Sequence, residues 1–179
     1  VCDNSGLLAL SGGLPAGGSY SGTGVTGADF DPASGTQTVT YSYTDGNGCS
    51  NSASTAITVN TSPVVSQSPI SAVCDNSGLL ALSGGLPAGG TYTGTGVSAS
   101  DFDPGAGTQT VTYTYTDANG CANSASTSIT VNTSPTVMQN TISAVCADAA
   151  PFTLSGGSPV GGVYSGVGVS GGIFDPAAG

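Results

Sequence analysis

The stretch Thr36-Gln37-Thr38-Val39-Thr40-Tyr41-Ser42-Tyr43-Thr44, followed by Asp45-Gly46-Asn47-Gly48 and then Cys49 to Asn60, decides the fold. Its apolar residues Val39, Tyr41 and Tyr43 fall on odd positions, and the even positions are Thr and Ser. A period of two over nine residues predicts a half-buried β-strand. Asp-Gly-Asn-Gly is turn chemistry, because glycine takes a positive φ at little steric cost. The run after it repeats the odd phase with Cys49, Ala53, Ile57 and Val59, so the two runs read as a β-hairpin.

Outward from the hairpin the same logic holds. Leu8 and Leu10 share the even phase of Cys2, in a strand that stops at Ser11-Gly12-Gly13. Tyr20 and Val25 mark another short strand, and Phe30 is an apolar anchor before Pro32. No stretch carries helical periodicity, and turn residues recur about every ten positions. The expectation is an all-β sandwich of immunoglobulin-like type with six or seven short strands per unit, without the Trp that marks antibody domains.

The unit is repeated. At an offset of 72 residues, Val1 aligns with Val73 and Val145, Cys2 with Cys74 and Cys146, and Cys49 with Cys121. Residues 1–72 and 73–144 are identical at 57 of 72 positions. The third copy is more diverged but keeps Leu154, Gly156, Gly157, Pro159, Tyr164, Phe174, Asp175 and Pro176. Thirty Gly and ten Pro would suggest low complexity in an aperiodic chain. A fixed period points instead to an array, and 72 residues suits a small domain with its own core. Boundaries are expected near Thr61-Ser62-Pro63 and Thr133-Ser134-Pro135. They give tandem domains at 1–62, lacking its first strand, at 63–134, complete, and at 135–179, truncated. Val64 to Ala72 and Thr136 to Ala144 read as first strands, and the chain reads as a fragment of a longer protein.

Charge excludes whole classes of function. Ten Asp stand against no Lys, Arg, His or Glu, for a net charge of −10. Nothing neutralises phosphates, so nucleic-acid binding and a polybasic membrane patch have no electrostatic basis. Without His or Lys there is no Ser–His–Asp triad, Cys–His pair or Schiff base. The chain is therefore expected not to be an enzyme and to need no cofactor. Calcium is the one metal the side chains suggest, through Asp29, Asp31, Asp45, Asp101, Asp103 and Asp117. Ordinary turn formation explains the same residues, and Ile173 replaces Asp29 in the third copy.

Five cysteines supply two per copy with one mate absent. Cys2–Cys49 and Cys74–Cys121 are the expected disulfides, one per domain, with Cys146 unpaired. A bond between neighbours, Cys49–Cys74, is the rival. A loop of this length contributes on the order of 4 kcal/mol, which a thin 72-residue core needs. Disulfides place the chain in an oxidising setting, outside the cell. Thr36, Thr38, Thr40, Ser42 and Thr44 form a polar stripe. It suits an exposed strand face; the functional alternative is a surface for glycan, ice or a host protein. Asn60-Thr61-Ser62 and Asn132-Thr133-Ser134 fit the N-glycosylation sequon.

Taken together, Leu10-Ser-Gly-Gly-x-Pro-x-Gly-Gly-x-Tyr-Ser-Gly-x-Gly-Val25, Phe30-Asp-Pro32, Val39-Thr-Tyr-Ser-Tyr-Thr-Asp-x-Asn-Gly-Cys49 and Ser52-Ala-Ser-Thr-x-Ile-Thr-Val59 form a pattern. It resembles the immunoglobulin-like repeats of very large secreted surface proteins of Bacteroidota, including gliding-motility-associated adhesins. The resemblance covers essentially the whole chain. It implies secretion, usually by the type IX route, and display at the cell surface or in an extracellular fibre. It also implies a structural stalk or filament segment whose partners are further copies of the same repeat, with self-assembly into a fibre and no membrane insertion.

Overall fold

The computed structural model describes residues 1–178; Gly179, the last residue of the third copy, lies outside them. The described chain is all-β, with three single-turn 3₁₀ helices as its only helical pieces. It divides into two compact units, Val1–Asn132 and Thr133–Gly179. The first two sequence copies thus make one compact unit.

The expected hairpin is present in both copies of that unit. Gln37–Thr44 pairs antiparallel with Ser50–Ile57 over eight residues, from Gln37↔Ile57 to Thr44↔Ser50. Gln109–Thr116 pairs with Ala122–Ile129 in the same register, 72 residues on. β-Branched and aromatic residues favour this pleated, half-buried geometry. Each hairpin gains a third strand, Ser19–Ser21 or Thr91–Thr93, on the side of its first strand. Gly48 and Gly120, at φ of +82° and +80°, close the turns.

A second, smaller sheet faces each hairpin. In the second copy Asp101–Phe102 lies between Leu80–Ala81 and Val97–Ser98. In the first, Asp29–Phe30 lies between Leu8–Ala9 and Val25–Thr26. Phe102 from the small sheet and Val111 and Ile129 from the hairpin meet at 0% exposure, with Leu82 beside them. Burying each such side chain contributes about 1.5–3 kcal/mol. Ile70, Val73, Tyr92, Val97 and Val131 pack around this cluster.

Asp31, Asp103 and Asp175 each lead into a 3₁₀ turn opened by proline. Their carboxylates accept from the backbone N–H of Ala33, Gly105 and Ala177 at 2.8–3.0 Å. Two glycines are dictated by packing rather than by φ. A Cβ on Gly13 would lie 2.4 Å from the Tyr41 ring, and one on Gly85 would lie 2.5 Å from Tyr113. Each tyrosine hydroxyl then accepts from Gly18 or Gly90 N–H and donates to the carbonyl of Pro15 or Pro87.

In the second unit, Ile173–Phe174 lies between Phe152–Thr153 and Val169–Ser170, and Met138–Gln139 pairs with Gly157–Ser158. The segments expected as first strands, Val64 to Ala72 and Thr136 to Ala144, are mostly irregular. Only Ser66–Gln67 and Met138–Gln139 within them form ladder pairs.

Candidate functional site

The chemistry of this chain concentrates where the first copy meets the second. Asn60 sits at the end of the first hairpin strand pair and forms a parallel bridge with Cys2. Its N–H donates to Val1 and its carbonyl accepts from Asp3, at 2.8 and 3.0 Å. Asp3 in turn accepts from the N–H of Ser62 at 2.9 Å. The nearby Ser62 hydroxyl and the Ser62 N–H bond hold the Asp3 carboxyl below the usual carboxylate range. The tail of the first copy is therefore tied to its own head, and Cys2 is presented at that end.

Against it comes the turn of the second hairpin. Asp117 accepts from the N–H groups of Asn119 and Cys121 at 2.9 and 2.8 Å, shaping the turn. Cys121 is fully buried and its sulfur lies 3.9 Å from the Asn60 carbonyl. Cys2 and Cys121 form a disulfide, with Cα atoms 5.6 Å apart and a sequence separation of 119. Asn4 donates to the carbonyl of Ala122 at 2.8 Å, and Asn123 donates to that of Pro63 at 3.1 Å. The disulfide and the Asn4 hydrogen bond thus join the copies, and Asn123 holds the connection at Pro63.

This corrects the expected pairing. Cys2 is not bonded to Cys49, nor Cys74 to Cys121, and the rival Cys49–Cys74 bond is also absent; Cys49, Cys74 and Cys146 are exposed and free. The expectation rested on strand phase, and both phases break. Ser5 N–H donates to the Cys2 carbonyl in a turn, so Cys2 does not continue the strand of Leu8–Ala9. Cys49 lies in the hairpin loop, where its N–H donates to Asp45 at 2.9 Å and its carbonyl accepts from Asp45 N–H. It stands at the tip of the sheet and not on its core face. The bond in place runs between copies.

The six calcium candidates do not assemble. Among the described residues, no three His, Cys, Asp or Glu side chains come together as metal ligands. Asp31, Asp103, Asp45 and Asp117 spend a carboxylate oxygen on local backbone N–H groups. Asp29 and Asp101 are exposed on the central strand of each small sheet. Hydrogen bonds from the N–H groups of Cys49 and then Asn47 lower the pKa of Asp45. The Thr and Ser stripe is largely paired across the hairpin, with Thr40–Ser54 and Thr44–Ser50 hydroxyls 2.8 Å apart. Thr36 accepts from the N–H of Val59.

Sequence reasoning missed Asn4, Asn123 and Asp3 as junction residues. Their recurrence beside the cysteines, as Asn76, Asn51 and Asp75, was the available signal. Among the described residues, no helix is long and apolar enough to cross a membrane. The disulfide fits an oxidising compartment. Comparison with family models and with curated proteins finds no match to this chain.

Proposed function

We propose that this chain is a structural segment of an extracellular bacterial surface protein, a strut of tandem immunoglobulin-like sandwiches without catalysis. The cross-link between copies, Cys2–Cys121, carries this reading. A disulfide inside one domain stabilises that domain alone. A disulfide between successive copies fixes their separation and transmits tension along the chain. Asn4 restricts their relative rotation at the same junction, where Asn123 also holds the Pro63 carbonyl. The sequence resemblance to secreted Bacteroidota repeats supports display at the cell surface or in a fibre. The charge of −10 suits a soluble, mutually repelling spacer.

Electron microscopy of surface material labelled with antibody to this chain tests the proposal. Regular filaments with a step of about 35–45 Å per copy are expected, from strands of about eight residues and a short connection. Compact isolated particles, or a single strong hit on a glycan array, would replace the strut with a binding module. Mass mapping of non-reduced protein checks the premise. A chymotryptic peptide pair linking Cys2 to Cys121 is expected, and free thiols at both positions would remove the argument.

A further inference from the structure

The small sheet of the second copy carries an open groove of about 390 Å³, lined by Leu79, Gly96, Val97, Ser98, Asp101 and Asp103. Every lining residue belongs to that one copy. Phe102 points into the core at 0% exposure, so its neighbours Asp101 and Asp103 both point outward. They stand on one strand face, about 7 Å apart along it. Leu80 pairs with Phe102, and the same phase turns Leu79 outward beside the carboxylates, where it is 70% exposed.

The charge in the groove is uncompensated. One oxygen of Asp103 accepts from the Gly105 N–H at 2.8 Å, and the other is left over. The carboxylate of Asp101 accepts no hydrogen bond among the described residues. The chain has no Lys, Arg or His, so no side chain of its own can pair with either. An exposed leucine alone would need no explanation. Leucine and valine set against two unpaired carboxylates fit a side chain that is apolar along its stem and cationic at its tip. An arginine stem can lie on Leu79 and Val97. Its planar guanidinium, with five donors in a fixed fork, can reach both carboxylates. A lysine ammonium is a compact and more strongly hydrated charge, which suits a partly apolar groove less well.

We propose that this groove is a docking site for an arginine side chain on an extended segment of a partner protein. The first copy repeats it with Leu7, 67% exposed, and with Val25, Asp29 and Asp31. Asp31 holds the Ala33 N–H as Asp103 holds that of Gly105. The third copy does not repeat it, because Pro151 stands at the Leu79 position and Ile173 at the Asp101 position. Two sites are therefore expected, both on the first compact unit. The docking surface is additional to the strut reading, since a strut with or without such partners has the same joint.

The test is a titration of the intact, isotopically labelled chain with acetyl-Leu-Arg-Leu-amide, followed by backbone amide NMR shifts at low salt. Saturable shifts are expected at Leu79 and residues 98–103 and at Leu7 and residues 26–31, with none at residues 169–175. Added salt should weaken them, because both carboxylates are exposed. Asp101→Asn is expected to weaken binding at the second copy about tenfold, the loss of a charged hydrogen-bond partner. Binding at the first copy should stay as it was, which also checks that the variant keeps its fold. The lysine analogue of the peptide is expected to bind more weakly at both sites. No saturable shift at millimolar peptide, shifts spread evenly over all ten aspartates, undiminished binding by Asp101→Asn, or equal affinity for the lysine analogue would each overturn the proposal. So would the same saturable shifts on adding calcium chloride alone, since the carboxylates would then hold a metal ion.

Discussion

The two hairpins of the first unit, Gln37–Thr44 with Ser50–Ile57 and Gln109–Thr116 with Ala122–Ile129, have nearly the same sequence and the same register, yet differ in burial. Ile129 is fully buried and Ile57 is half-buried; Tyr113 is buried and Tyr41 is half-buried. The side chains are the same, so the difference comes from what lies over them. Residues 63–73 cover the second hairpin, whereas no described residues lie over the first in that way. Burial is thus a property of the neighbouring segment and not of the strand pattern. The cysteines teach the same lesson. Cys121 is buried in a disulfide because the tail of the first copy meets its turn, while Cys49, in the equivalent turn, is exposed and free.

The largest expected effect breaks the joint between the copies. Cys2→Ser should remove on the order of 4–5 kcal/mol in a loop-entropy account. Guanidinium denaturation is the measurement, and the reduced unaltered chain should match the variant. A loss under 1 kcal/mol would show that the two copies hold together without the bond. Next, Ile129→Ala should cost about 3–4 kcal/mol. Ile57→Ala should cost less than half of that, because its site is already open. Equal losses would contradict the burial difference.

A third test concerns the tyrosine-covered glycines. Gly85→Ala forces a methyl into the Tyr113 ring and should cost about 1–3 kcal/mol. Gly13→Ala should cost less, since Tyr41 is freer to move aside. Thermal unfolding of the two variants reads the difference directly. The smallest effect is the pH dependence. Asp3 and Asp45 have lowered pKa values in the folded chain, so each adds stability that is present above the unfolded carboxylate value. That stability is lost as pH falls through the folded one. Unfolding temperature should therefore be flat from neutral pH to about pH 5 and fall below about pH 4. Asp3→Asn should flatten part of the fall, and an unchanged acid limb would place its source elsewhere.

Much of the fold was legible in the residues. Val39, Tyr41 and Tyr43 in alternation with Thr and Ser gave the first hairpin strand, which runs Gln37–Thr44, and Asp45 to Gly48 gave its turn. Phe30 was readable as an anchor, and both it and its counterpart Phe102 are fully buried. The disulfide was not legible. Its pairing was inferred from strand phase, and a turn at Cys2 and a loop at Cys49 reset that phase. The aspartates were visible as turn residues, and Asp31, Asp45, Asp103 and Asp117 do shape turns.

By itself the sequence determined the β character, the 72-residue period, the hairpins and the lack of any basic group, because these follow from side-chain periodicity, turn propensity and composition. Only the tertiary structure decided which cysteine meets which, and which side chains of the hairpins meet the small sheets. Those outcomes depend on residues far apart in the chain arriving at the same place, and local pattern carries no record of that distance.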